Sequence, residues 1–300
     1  MSHARAGRPV LAEEQPRSRT QRRLAGVLVV LVVGVLGVAG WRGVQHLLHA
    51  VSGEQCRVVA AGAGYTWAPD QASNAAAITA IAMKRGLPPR AASIAIATAM
   101  QESKVRNVTY GDRDSLGLFQ QRPSQGWGTQ EQILDPEYST NAFYDALTKV
   151  DGYQDLEIAV AAQEVQRSAA GSAYAQHEGQ ARATASVLSG QSHRGIGCAL
   201  REPEQPGDPQ AVAALVRKDF GIEATDVGAR TVTVRTDDLD RAWAVASWAV
   251  ARASVTGAEQ VSVDRRRWTR SMEDSAFRWD PVEYPANADA PDPTQVTITL

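Results

Sequence analysis

The chain has no excess of positive charge. Its 300 residues include 31 Lys or Arg and 33 Asp or Glu, and from position 43 onward the balance is 24 against 31, a formal −7. A nucleic-acid-binding module would carry a basic footprint, so no nucleic-acid partner is expected. Metal-ligand spacing is also missing. His177 has no second ligand at the intervals a zinc site uses and reads as a helix-surface histidine. Residues 210–300 contain neither an obvious nucleophile–base pair nor ligand spacing, so no metal and no other cofactor is expected. Cysteine is almost absent. Cys56 and Cys198 are the two present, and they bracket the most informative part of the chain. The expectation is that, in an oxidising compartment, they form an intramolecular disulfide that ties the start of a domain to its end, with two separate thiols as the alternative. The loop so closed exceeds 140 residues, for which chain entropy suggests about 5 kcal/mol.

Long apolar runs are scarce as well, with one exception. Residues 24–41, LAGVLVVLVVGVLGVAGW, run for 18 positions without a charge. As a helix they span about 27 Å, just enough to cross the hydrocarbon core of a bilayer. Residues 1–23 carry six arginines against two glutamates, a flank expected to stay cytoplasmic, and Trp41 sits where an interfacial aromatic belongs. A cleaved signal peptide is the competing reading. The run is long for one, however, and no clean small-residue cleavage site follows it. The expectation is a single-pass signal-anchor at the cytoplasmic membrane, with the bulk of the chain extracytoplasmic.

Beyond the apolar run, residues 42–69 read as a stalk punctuated by Gly62, Gly64 and Pro69. Helical material follows. QASNAAAITAIAMKRG is alanine-rich and stops at Gly86, and Pro88-Pro89 restart the chain into a second helix. A glycine-bearing irregular stretch occupies about 105–134, and irregular segments of that length in compact domains are usually functional. Asp135-Pro136 opens another helix, with an acceptor at the cap and proline in the first turn. REPEQPGDPQ marks a change of pattern. TVTVRT, QVSVDRR and VTITL alternate like strands around the helix DDLDRAWAVASWAVARA. The fold class expected is mainly α: a helical domain at 70–200, preceded by one transmembrane helix, joined by a linker at 201–209 to a small α/β accessory domain at 210–300. Trp243, Trp248, Trp268 and Trp279 read as core of that accessory domain, with sugar platforms as the alternative.

The most informative residue is Glu102. It follows the apolar run Ile94–Met100 near the end of the second helix. Poor solvation and the negative pole of that helix both disfavour a charged carboxyl there. A carboxylic acid that keeps its proton is what cleavage of a glycosidic bond requires. Asp112, Asp114 and Asp135 are candidates for a second, assisting carboxylate. Asp112 and Asp114 equally fit a loop held by ion pairs, and Asp135 fits a helix cap. Tyr110, Phe119 and Trp127 suit either sugar stacking or pinning of the loop.

Glu102-Ser103 followed by Gly117-Leu118-Phe119-Gln120 resembles the Glu-Ser … Gly-Leu-Met-Gln pattern of soluble lytic transglycosylases and goose-type lysozymes. The wider stretch, about 70–190, is similar to a membrane-anchored actinobacterial branch of that lysozyme-like superfamily. The resemblance implies a lysozyme-like helical domain that cleaves the β-1,4 bond between N-acetylmuramic acid and N-acetylglucosamine in peptidoglycan. It makes Glu102 the general acid and then base. It places Ser103 near the leaving-group sugar, Gly117 at a close backbone approach and Gln120 as a brace for loop and sugar. That family carries Ala-Tyr-Asn-Ala-Gly on a later helix, with the tyrosine near the catalytic glutamate. The nearest stretch found is Ala161-Ala162-Gln163-Glu164-Val165, which puts Gln163 in the tyrosine's place and Gln166 one turn on. The expected partner is a glycan strand of peptidoglycan, with envelope proteins as partners of residues 210–300. The alternative function is a non-catalytic peptidoglycan-binding or scaffold protein with a degenerate cleft.

Overall fold

The computed structural model of the protein describes residues 53–166, 171–284 and 291–300. Glu54–Leu300 form one compact unit. The apolar run 24–41 and its basic flank lie outside the described residues. No helix among the described residues is long and apolar enough to cross a membrane.

The architecture corrects the mainly α expectation. The described residues hold nine helices, but they also hold nine strands, in one sheet of three and one of six. The first sheet opens the unit, within the stretch read as a stalk. Strands β1 (Gln55–Ala60) and β2 (Ala63–Trp67) pair antiparallel, and β3 (Ile196–Ala199) lies along the other edge of β1. Two features hide this hairpin in the sequence. Its two-residue turn has both residues left-handed, Ala61 at φ 49° and Gly62 at φ 78°, where Asn-Gly or Asp-Gly is the usual signal. Alternation is also blunted, because Val59 points outward between the inward Val58 and Ala60. Cys56 and Cys198 stand opposite each other in the β1–β3 register and form a fully buried disulfide.

Helices α1 (Pro69–Lys84) and α2 (Pro89–Ser103) are rich in alanine, the best helix former, whose small side chain lets neighbouring helices approach. The middle of α1, including Ala75, Ile78 and Ile81, is buried. It packs against α2, α4 (Pro136–Leu147), α6 (Glu178–Leu188), α7 (Pro209–Phe220) and α8 (Leu239–Ala251). Truncating Ile78 to alanine at this crossing is expected to cost about 2–5 kcal/mol. Between these helices lie the short α3 (Gln130–Leu134), α5 (Ile158–Gln166) and a 3-10 segment, Gly171–His177. Two helix starts follow directly from the sequence. The Asp135 carboxylate accepts from the Glu137 amide and the Asp208 carboxylate from the Gln210 amide, each ahead of a proline.

The second sheet is antiparallel throughout, in the order β4 (Asp226–Val227), β5 (Thr231–Arg235), β9 (Gln295–Thr299), β6 (Gln260–Val263), β7 (Arg266–Thr269), β8 (Asp280–Pro281). Helix α8 packs on β6 and β9 and also on α1 and α6. It therefore stitches the sheet to the helices that precede the linker, and one hydrophobic core runs from Cys56 to Leu300. The four tryptophans of this region are buried in that core. The indoles of Trp248, Trp268 and Trp279 donate to Asp219 Oδ2, the Ala276 carbonyl and the Ile196 carbonyl, each at 2.8 Å. None of the four is placed to act as an exposed sugar platform.

Candidate active site around Glu102

Glu102 is the penultimate residue of α2 and is half-buried. The helix ends in an unusual way. Lys104 and Val105 are both left-handed, at φ 56° and 57°, a conformation that costs a residue with a Cβ about 1 kcal/mol or more. Helix α1 holds them there. Gln71 Nε2 donates to the Lys104 carbonyl at 2.7 Å, and Asn74 Nδ2 donates to the Val105 carbonyl at 2.8 Å. The Val105 amide closes back on the Ala99 carbonyl at 2.8 Å. This double reversal sends the chain into the loop that follows while leaving Glu102 on the last turn.

Ser103 joins helix and loop. Its hydroxyl donates to the Leu118 carbonyl at 2.7 Å and lies within 3.1 Å of the Ala99 carbonyl, and it accepts from the Arg106 amide at 3.1 Å. The resemblance assigned Ser103 to a sugar, whereas here its hydroxyl sets the distance between the glutamate's helix and the 117–120 turn. That turn is closed by reciprocal backbone bonds between Leu116 and Gln121. Gly117 is required in it. Its φ is 77°, and a Cβ would lie 2.8 Å from the Ile133 carbonyl oxygen. Phe119 is fully buried and stacks on Phe143 with centroids 4.6 Å apart, so it pins the loop and offers no face to a ligand.

Gln120 is left-handed at φ 50° and spends its amide inside the loop. It donates to the carbonyls of Tyr110, at 3.3 Å, and Gly117, at 3.4 Å, and accepts from the Ser115 hydroxyl at 2.9 Å. Gln166, from the end of α5, donates to the Phe119 carbonyl at 2.7 Å and ties that helix to the same turn. Gln163 is on the exposed face of α5, so the residue expected to replace a tyrosine does not face the core. Tyr110, at 74% exposure, is the aromatic of this loop that stands free for a ligand. Trp127 is half-buried against the core.

Tyr174 decides the chemistry of the site. It sits in the 3-10 segment, its side chain is buried, and its hydroxyl donates to Glu102 Oε1 at 2.6 Å. At that length the phenol holds the carboxyl in one orientation. The resemblance points to positions 161–165 for a tyrosine beside the glutamate, whereas the phenol that reaches Glu102 comes from the Ala-Tyr pair of GSAYAQHE, beyond that helix. The same segment brings Gln176 and His177 to Gln101, whose side-chain oxygen lies 3.3 Å from Gln176 Nε2 and 3.2 Å from His177 Nε2. Burial lowers the pKa of His177 from its usual value, favouring the neutral ring.

No protein-family model matches this chain, and no curated protein does either. The residues themselves therefore carry the functional argument.

The other acids sort by their partners. Asp114 is bound by Arg122 Nε at 2.8 Å, the Ser124 amide at 2.8 Å and the Ser124 hydroxyl at 3.0 Å. The backbone and side-chain hydrogen bonds of Ser124 and Arg122 hold its carboxyl well below the usual range. It is a permanent anion that shapes the loop. Asp135 caps α4 and pairs with Lys218 at 3.5 Å. Asp112 is exposed and has no ion pair among the described residues. Among the described residues no cluster of His, Cys, Asp and Glu could hold a metal ion. The site is thus one glutamate at a helix end, oriented by a buried tyrosine and followed by a loop that α1, α2, α4 and α5 hold in place.

Proposed function

We propose that the protein cleaves the β-1,4 glycosidic bond between N-acetylmuramic acid and N-acetylglucosamine in peptidoglycan, with Glu102 as general acid and then base. The observation that carries this reading is the 2.6 Å bond from buried Tyr174 to a half-buried Glu102. A proton donor for glycoside cleavage must be held in one rotamer beside the scissile oxygen, and a buried phenol supplies that constraint. Protonated Glu102 gives its proton to the glycosidic oxygen as the C1–O bond breaks. The resulting carboxylate then takes a proton from the group that attacks C1. If that group is the C6 hydroxyl of the same sugar, the product is a 1,6-anhydro ring. If it is water, the product is a reducing end. Exposed Tyr110 on the loop offers a stacking face for a sugar ring. The reading places Glu54–Leu300 outside the cytoplasmic membrane, held by residues 24–41. The Cys56–Cys198 disulfide accords with an oxidising compartment.

The test uses the full-length protein and purified peptidoglycan, with mass spectrometry of the soluble products. Anhydro ends identify a transglycosylase and reducing ends a hydrolase. Glu102→Gln is expected to abolish product while retaining sedimentation with the polymer. A wild-type protein that binds peptidoglycan but releases no product, where a known muramidase does, would replace this reading with that of a binding module.

A further inference from the structure

Tyr174 reaches Glu102 from a seven-residue 3-10 segment, Gly171–His177. Runs of that length are uncommon, because the hydrogen bonds of a 3-10 helix are poorly aligned. Besides the burial of its ring, the phenol's position therefore depends on what ties the segment down. The end of the segment is tied to the residue next to Glu102. Gln101 Oε1 lies 3.3 Å from Gln176 Nε2 and 3.2 Å from His177 Nε2.

The polarity of these bonds follows from one carbonyl. Gln176 Nε2 also donates to the Ala173 carbonyl at 3.1 Å. A carbonyl can only accept, so this end of the Gln176 amide is its NH2 group. Gln101 must then present its oxygen, since two NH2 groups face to face would repel. The same oxygen faces His177 Nε2, which assigns the ring proton to that nitrogen. Burial favours the neutral ring, and Nδ1 is then the bare nitrogen. Two successive residues at the end of α2 thus grip one segment. Glu102 takes the Tyr174 hydroxyl, and Gln101 takes Gln176 and His177.

We infer that Gln101 is a positioning residue, a latch that holds the 3-10 segment so that Tyr174 stays on Glu102. The inference rests on the reading of Glu102 as general acid. Gln101 acts through Tyr174 and needs no contact with the glycan. The latch requires an acceptor oxygen at position 101, whether from an amide or a carboxylate. Gln101 is exposed, so replacing it leaves the core intact.

Two readouts on the full-length protein test the latch, and the first needs no turnover. Nitrogen NMR at neutral pH is expected to show His177 as the Nε2–H tautomer. Gln101→Leu should speed amide hydrogen exchange at 173–177 while the buried middle of α2 keeps its protection. The second readout is product release from peptidoglycan. Gln101→Leu should lower kcat about three- to tenfold, the loss of one or two net hydrogen bonds, with KM unchanged. Gln101→Glu keeps the acceptor and should restore most of that loss when each variant is assayed at its own pH optimum. Gln101→Leu should add nothing to Tyr174→Phe, because the contact that the latch protects is already gone. The Nδ1–H tautomer, or unaltered exchange at 173–177 in Gln101→Leu, would overturn the inference. So would an unchanged kcat, or a loss that adds in full to that of Tyr174→Phe. A wild type that releases no product would overturn the reading of Glu102 instead, and the first readout would still decide whether the latch exists.

Discussion

Replacing Tyr174 with phenylalanine removes one oxygen from the molecule and leaves the buried ring in place. The hydroxyl lies 2.6 Å from Glu102 Oε1. Because Glu102 is half-buried, water can take over the vacated lone pair. The stability loss should therefore be that of an ordinary net hydrogen bond, about 1 kcal/mol. In a body of this size that lowers the melting temperature by about 2–4 °C. The catalytic loss should be larger than the stability loss alone would produce. A carboxyl freed from the phenol samples several rotamers, and a loss of about 1.4–2.7 kcal/mol in transition-state stabilisation is a 10- to 100-fold fall in rate. The assay is release of muropeptides by Tyr174→Phe at saturating and limiting peptidoglycan, alongside a thermal melt. The expected outcome is reduced kcat with little change in KM, since Tyr174 touches the acid and not the glycan. Gln163→Ala, on the exposed face of α5, should change neither parameter. Full kcat in Tyr174→Phe, or a loss of activity in Gln163→Ala matching it, would refute the assignment of Tyr174 as the residue that orients Glu102.

Three further outcomes follow from the same geometry. Asp114→Asn should loosen the loop and lower both activity and melting temperature at pH 7. Because the folded-state pKa of Asp114 is depressed, its contribution is present above the unfolded value and fades as pH falls below about 4. The difference in melting temperature between wild type and variant should accordingly shrink between pH 5 and pH 2, and a gap independent of pH would contradict the role given to its anion. Replacing Cys56 and Cys198 together with serine opens a loop closed across a sequence separation of 142; chain entropy gives a loss of about 5 kcal/mol, to be read from urea unfolding, with chemistry at Glu102 retained in the folded fraction. Gly117→Ala must adopt φ 77° and meets the Ile133 carbonyl, so it should displace the 117–120 turn and cut turnover at least as much as it cuts stability, measured by parallel melts and product release.

How much of this was legible in the sequence depended on whether a residue's role is local. Asp135-Pro136 and Asp208-Pro209 announce helix starts because an Asp cap acts within two residues, and both carboxylates do accept the expected amides. Glu102-Ser103 and the 117–120 turn were readable for the same reason, as contiguous motifs. What those residues do was less readable. Ser103 and Gln120 direct their side chains to loop carbonyls, a consequence of the left-handed pair Lys104-Val105, which no composition rule anticipates. The hairpin at 55–67 escaped because Ala61-Gly62 is a weak turn signal, and the mainly α expectation failed with it.

Tyr174 escaped for a different reason. The bond that matters spans 72 positions and issues from a 3-10 segment, so neither helical period nor spacing from the glutamate could locate it. On α5 the resemblance points to Gln163, which lies on the exposed face of that helix. In the role proposed for Glu102 the carboxyl needs an orienting partner at a fixed distance in space, and the partner present comes from a segment that carries no periodic signature. The helix that should have carried the tyrosine supplies Gln166 to the loop, and the next segment supplies the phenol.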